Sequence, residues 1–241
     1  MTEKSSFTNK PKRFYKNATA AKEKDGYAIH LDERAVRTPM GQPLILPTLP
    51  LAQAIVEEWQ DQGDAIIPAS MPLCGYANTA IDRVGKERET VFATLMKFSA
   101  TDLLCYRAHE PDALVKRQVD NWQPLLDWAA ESLGVKLNVT TGVLPIEQPS
   151  QAHEALETKL SALDDMELTA VASLAAACNS IILALALNDN RIDDQQAFDI
   201  SQLDEMFQIE RWGHDSEAQA NQELLRQNIA SASLFLLLLR Q

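Results

Sequence analysis

The chain has 241 residues, of which 46% are hydrophobic and 23% are charged, a composition typical of globular proteins. This length is enough for one large domain or two ordinary ones. The formal net charge is -12, and residues 111–241 carry all of the excess negative charge. Nucleic acid and anionic membranes both need a basic surface, so neither is predicted to be a partner.

The residues that usually carry a cofactor do not form a recognisable site. The three cysteines, Cys74, Cys105 and Cys178, are too few and too widely spaced for a disulfide framework, which favours a reducing compartment. Cys105 and His109 stand four residues apart, but no second pair of ligands accompanies them, so no metal site is predicted. The eight glycines form no phosphate-binding loop, and no nucleotide is expected.

The N-terminal part of the chain alternates extended segments with turns. Seven Lys and Arg residues from Lys4 to Lys24 form a basic lead-in that could contact an acidic partner, but we favour a solvated tail, with residues 1–12 disordered. The N-terminus contains no apolar segment that would direct export. Extended segments follow over residues 13–47, and Asp25-Gly26 indicates a β-hairpin. Residues 51–63 have the apolar spacing of an amphipathic helix that Gly63 would end.

The next segments complete a predicted N-terminal domain over residues 1–110. Residues 65–76 contain two prolines and are predicted to be a connecting loop, and residues 79–108 are predicted to form one or two helices. The fold class expected is α+β, with a small N-terminal α/β domain containing β-hairpins and a larger, mainly helical domain over residues 111–241. Pro111 and the change in charge place the boundary near residues 108–112.

The C-terminal part is predicted to consist mainly of helices. Pro124 is expected to kink or divide the first of them, and Gly134 to end it. Residues 168–187 carry no charge and are long enough to span a bilayer, but they are rich in Ala and flanked by acidic residues. We therefore favour a helix that is buried on all sides over a membrane span.

The most informative stretch is LDEMFQIERWGHD, residues 203–215. On a helix, Glu205, Gln208, Ile209 and Trp212 form one stripe, and Gly213 would end the helix. The residues alone favour a core-packing face with the Trp212 ring buried and Glu205 at its rim. The alternatives are a recognition surface with an aromatic anchor, or an enzyme with a carboxylate-lined pocket around Glu205, Gln208 and Asp215.

The sequence resembles the family of ATP synthase assembly chaperones that attends the alpha subunit of the soluble catalytic sector, in mitochondria and alphaproteobacteria. The resemblance spans nearly the whole chain and includes RFYK, LDERAVRTPMGQPLILPT, VEEWQDQG, NTAIDRV, NWQPLLDWA and NSIILALAL. Its most distinctive motif is ExxQxxxWGxD, matched by Glu205, Gln208, Trp212, Gly213 and Asp215. One departure is Cys178-Asn179, where the family would carry a pair of small residues.

The resemblance implies a chaperone that binds the unassembled alpha subunit, prevents its aggregation until the beta subunit replaces it, and has no catalytic activity. It also implies a cytoplasmic location in a bacterium, or the mitochondrial matrix in a eukaryote. An acidic residue of the helical domain is needed for activity in this family, and either Glu205 or Glu210 matches that position. The predicted partner-binding residues are Glu205, Gln208, Glu210, Trp212 and Asp215.

Overall fold

A computed structural model describes residues 11–142, 144–213 and 216–241, without the side chains of residues 216–218. Residues 1–10, for which the sequence predicts disorder, lie outside this part of the chain. Pro11 and Lys12 pair with the backbone of residues 65 and 66. The described part is mainly helical and has a small antiparallel sheet near its N-terminus, which confirms the predicted α+β class.

The sheet is built around one central strand. Strand β1 (Ala18–Glu23) pairs antiparallel with β2 (Gly26–Leu31), so the predicted hairpin at Asp25-Gly26 is confirmed. Two short strands, β3 (Arg34–Ala35) and β4 (Ile45–Leu46), also pair with β2. Gly26 has a φ of 149°, and a Cβ there would lie 2.3 Å from the Leu46 carbonyl oxygen. Glycine at this position therefore allows β4 to approach the hairpin closely.

Helix α1 (Leu49–Gln60) packs against the sheet as the amphipathic pattern predicts. It begins at Thr48, whose hydroxyl accepts a hydrogen bond from the Leu51 amide, and it buries Leu51 and Ile55. The helix ends at Gln60, with Asp61 as its C-cap, so the expected stop at Gly63 is three residues too late.

The predicted loop over residues 65–76 is wrong in its second half. Helix α2 (Pro72–Thr79) begins there with proline in its first turn, where the missing N–H costs nothing. The Glu58 carboxylate of α1 accepts the amides of Leu73 at 2.7 Å and Cys74 at 2.8 Å, so it supplies the N-terminal cap. Because this cap comes from another helix, the sequence around Pro72 does not reveal it.

The segment from residue 79 to residue 108 is only partly helical. A π-helical turn (Ala80–Val84) joins α2 to α3 (Gly85–Ala100). A short 3-10 turn (Leu103–Cys105) and strand β5 (Tyr106–Arg107) follow, and β5 pairs in parallel with β6 (Thr140–Thr141). The prediction of helix up to residue 108 is therefore wrong after Ala100.

Helix α4 (Asp112–Leu133) runs through Pro124 without being divided. Its buried face holds it in place: Trp122 is fully buried and its indole N–H donates to the Ile200 carbonyl oxygen at 3.0 Å. Gly134 follows with a φ of 71°, the left-handed conformation of a helix C-cap, so the predicted stop is confirmed.

The remaining chain forms six helices within its described residues. They are α5 (Ser150–Ser161), α6 (Asp165–Cys178), α7 (Ile181–Asn188), α8 (Asp194–Ser201), α9 (Leu203–Trp212) and α10 (Ser216–Leu238). A break at Gln202 separates α8 from α9. Residues 72–100 pack against α6 and α10, and the domain boundary near residues 108–112 stays a prediction.

The apolar segment over residues 168–187 is mostly buried, apart from the exposed Ala176 and Asn179, but it is not one helix. Asn179 adopts the left-handed conformation with a φ of 50° and ends α6, and the Ser180 hydroxyl then caps α7 by accepting the Leu183 amide. Asparagine tolerates this conformation better than most residues, so Asn179 fits this position. Among the residues that the structure describes, no helix is both long and apolar enough to cross a membrane.

The buried carboxylate of Asp102 links the segment after α3 to the break between α6 and α7. Asp102 is fully buried, and its oxygens accept the Ser180 hydroxyl at 2.9 Å, the Ile182 amide at 3.1 Å and the Leu104 amide at 3.0 Å. The carboxylate thus caps both α7 and the 3-10 turn that begins at Leu103. Burial raises the pKa of Asp102 to about 6 despite these hydrogen bonds.

Candidate functional site

Helix α9 has one buried face and one exposed face. Leu203 and Phe207 are buried against the rest of the helical region. Glu205, Gln208 and Trp212 are exposed, and the Trp212 side chain is 79% exposed. The core-packing interpretation of this stripe, which the residues alone favour, is therefore wrong, since it requires a buried Trp212 ring.

The exposed stripe forms one wall of a groove between α9 and α10. Glu205, Gln208, Ile209 and Trp212 all line this groove, which has a volume of about 440 Å³. The opposite wall is formed by three side chains of α10: Asn221, Gln222 and Leu225. The helical spacing predicted that these four residues of α9 share one face of the helix, and the structure confirms this.

Helix α4 holds α9 in place from the side away from the groove. The Gln118 amide of α4 donates to the Asp204 carboxylate at 2.8 Å, and burial raises the pKa of Asp204. Two guanidinium groups lie over the Phe207 ring, that of Arg117 at 5.1 Å and that of Arg211 at 4.3 Å from the ring centroid. These contacts fix the rotation of α9 and hence the direction in which its exposed stripe faces.

Glu210 lies outside the groove. Its carboxylate pairs with Arg117 of α4 through two hydrogen bonds of 2.9 and 2.7 Å. The hydrogen bond from Arg117 lowers the pKa of Glu210. Because this carboxylate already has a bidentate partner within the chain, Glu205 is the better placed of the two predicted acidic residues to contact another protein. Asp215 lies outside the described residues.

The groove has lining residues that sequence reasoning missed. Gln202 lies at its α9 end, and Asn221, Gln222 and Leu225 come from α10. The spacing from Glu205 back to Gln202 is three residues, so helical periodicity could have added Gln202 to the stripe. No local signal pairs α10 with this face of α9, since that pairing depends on how the two helices pack.

The described lining of the groove offers one carboxylate. Glu205 is the one acidic side chain among these residues, and it lies beside the carboxamides of Gln202 and Gln208. Across the described ranges, no three His, Cys, Asp or Glu side chains converge as a metal site would require.

Comparison with known proteins identifies the family. Residues 12–130 match the family model described as ATP12 chaperone protein. The crystal structure of Atp12 from Paracoccus denitrificans superposes with a TM-score of 0.91 at 43% sequence identity, covering 95% of this chain and 99% of that one. The chain belongs to the ATP12 chaperone family. An aspartate-to-lysine variant of the P. denitrificans Atp12p gives a TM-score of 0.91 at 42% identity, covering 95% and 98% of the two chains.

The match extends to a eukaryotic ATP12 protein. Protein atp12, mitochondrial, from Schizosaccharomyces pombe is 28% identical over 237 residues, which cover 92% of this chain and 81% of that protein. ATP12 family membership confirms the predicted resemblance and the predicted function as a chaperone of ATP synthase assembly. It also confirms that the chain is not an enzyme, because its relatives are chaperones.

Proposed function

We propose that this ATP12 chaperone binds the unassembled alpha subunit of the F-type ATP synthase through the groove between α9 and α10. The observation that carries the proposal is the exposure of Trp212, which is 79% exposed at the rim of this groove. A large aromatic side chain held in water forgoes the stabilisation that burial would give it. Binding of a partner over the ring recovers that stabilisation.

The groove combines the groups that dominate protein interfaces. Aromatic side chains are enriched among the residues that contribute most to binding, and they act best when neighbouring contacts exclude water from them. Ile209 and Leu225 supply apolar surface beside Trp212, while Glu205 and Gln208 supply polar contacts. Such a surface can cover apolar area on the alpha subunit that would otherwise cause aggregation before the beta subunit binds.

The charge of the chain favours a reversible complex. The net charge is -12, with the excess in residues 111–241, so a basic region of the client would be attracted to the helical region. Such attraction speeds association and improves selectivity more than it raises affinity. The client is then released when the beta subunit competes for the same surface, without nucleotide hydrolysis. The chaperone would act where the alpha subunit is made or imported, in the bacterial cytoplasm or the mitochondrial matrix.

Co-expression with the alpha subunit tests the proposal. The soluble fraction of the alpha subunit is measured with the unaltered chaperone, with Trp212→Ala and with Glu205→Ala. Glu131→Ala serves as a matched control, because Glu131 is an exposed carboxylate of α4 outside the groove. We expect the two groove variants, but not the control, to lose soluble alpha subunit. Unchanged solubility with Trp212→Ala would place the client elsewhere, and no effect of the unaltered chaperone would refute the proposed client.

The same variants separate recognition from a purely structural role. Trp212 and Glu205 are exposed, so their replacement by Ala should leave the urea denaturation midpoint of the chaperone nearly unchanged. Loss of the Trp212 ring should weaken binding of the alpha subunit by about 2 kcal/mol or more, roughly thirtyfold. A variant that unfolds instead would show that this face serves stability.

A further inference from the structure

The polar side chains of the groove are mostly carboxamides. Gln202 and Gln208 lie on the α9 wall, and Asn221 and Gln222 lie on the α10 wall. Glu205 is the one charged side chain among the described lining residues. Side chains of the same chemical type thus face the groove from both sides.

A carboxamide has the hydrogen-bonding groups of a peptide unit. Its carbonyl oxygen accepts and its NH₂ group donates, and it carries no charge. Such a group can pair with a main-chain N–H or C=O whatever the neighbouring side chain is. Carboxamides on two walls therefore suit recognition of an exposed polypeptide backbone, which lets a chaperone bind a client segment without a strict sequence requirement.

The length of the groove sets the length of such a segment. From Gln202 to Trp212 the α9 wall rises about 15 Å, at 1.5 Å per residue. An extended chain advances about 3.3 Å per residue, so four to five residues fit along this wall. An α-helix satisfies its main-chain groups internally and would leave the carboxamides with few main-chain partners.

We propose that the groove binds an extended segment of the client, four to five residues long. The main chain of this segment forms hydrogen bonds with the carboxamides that line the groove. An apolar client side chain lies against Trp212 and Ile209, and a Lys or Arg of the segment pairs with Glu205. This inference rests on the proposed function, because it takes the alpha subunit as the client. It adds the conformation of the bound segment and the groups that recognise it.

Peptides test the conformation and the main-chain contacts. Overlapping peptides that cover the alpha subunit are screened against the full chaperone, and the strongest binder is resynthesised with single backbone N-methyl groups. N-methylation removes a main-chain donor and keeps the side chain. We expect it to weaken binding by about five- to tenfold at seated positions. Side-chain replacements should have smaller effects, apart from the apolar residue and the basic residue.

A variant of the chaperone tests whether the carboxamides of the groove contribute to binding. Gln208→Met keeps the approximate size of the side chain and removes both hydrogen-bonding groups. Gln227→Met is the control, because Gln227 is an exposed glutamine of α10 outside the groove. We expect Gln208→Met to weaken binding of the peptide by about five- to tenfold and Gln227→Met to leave it unchanged.

The outcomes distinguish this inference from the proposed function. If the alpha subunit is retained but no peptide from it binds, the client is recognised as a folded surface and the inference is wrong. If peptides bind and neither N-methylation nor Gln208→Met matters, recognition does not use the main chain, and the inference is also wrong. If the unaltered chaperone does not retain the alpha subunit at all, the proposed function fails and the inference fails with it.

Discussion

The buried Asp102 predicts an unusual dependence of stability on pH. Burial raises the pKa of this carboxyl to about 6 in the folded protein, whereas an aspartate in an unfolded chain has a pKa of about 3.9. The folded state therefore holds the proton more tightly than the unfolded state does. The stabilisation that results is fully present below about pH 4 and is lost as the pH rises through about 6.

The magnitude follows from the difference between the two pKa values. A difference of about two pKa units corresponds to roughly 3 kcal/mol. Asp102→Asn removes the titration and keeps the approximate shape of the side chain. The variant is less stable at every pH, because an NH₂ group now faces the amide and hydroxyl donors that the carboxylate accepts. The stability lost relative to the unaltered protein should grow by about 2.4 kcal/mol between pH 7.5 and pH 4, and the rest of the roughly 3 kcal/mol should appear below pH 4.

Urea denaturation of both proteins over this pH range measures the effect. The quantity to compare is the difference in the free energy of unfolding, because other carboxyl groups titrate equally in the two proteins. Asp164→Asn is the control: Asp164 caps α6 at an exposed position, accepting the Glu167 amide at 2.8 Å. For that control, the difference in the free energy of unfolding should not grow as the pH falls. A difference for Asp102→Asn that stays constant or shrinks as the pH falls would refute the reasoning.

Three further predictions concern the backbone and the surface. Gly26→Ala should destabilise the protein by roughly 2 kcal/mol or more in urea denaturation, because the added Cβ would lie 2.3 Å from the Leu46 carbonyl oxygen. Unchanged stability of this variant would contradict the close approach of β4. Asn179→Ala should be about 1 kcal/mol less stable than Asn179→Gly, since only the alanine is strained at a φ of 50°. Equal stabilities of the two variants would argue against the left-handed cap. Glu210→Ala breaks an exposed ion pair outside the groove, so the denaturation midpoint and the solubility of the co-expressed alpha subunit should both change little. Loss of soluble alpha subunit with Glu210→Ala would extend the binding surface to that side of α9.

The elements whose signals are local could be predicted from the residues alone. The hairpin at Asp25-Gly26, the amphipathic helix that contains Ile55 and the helix end at Gly134 all formed as predicted, because each depends on neighbouring residues alone. Helical periodicity likewise placed Glu205, Gln208, Ile209 and Trp212 on one face of α9. The family motif around them can be recognised from the residues alone.

Tertiary structure decided the features whose partners are distant in the chain. Helix α2 begins where a loop was predicted because Glu58 of α1 caps it, and α7 begins where the carboxylate of Asp102 accepts the Ile182 amide. The second wall of the groove comes from α10, and whether Trp212 is buried or exposed depends on that packing. A sequence pattern gives the direction of a side chain around its own helix, but the surface that it meets is set by the other helices packed beside it.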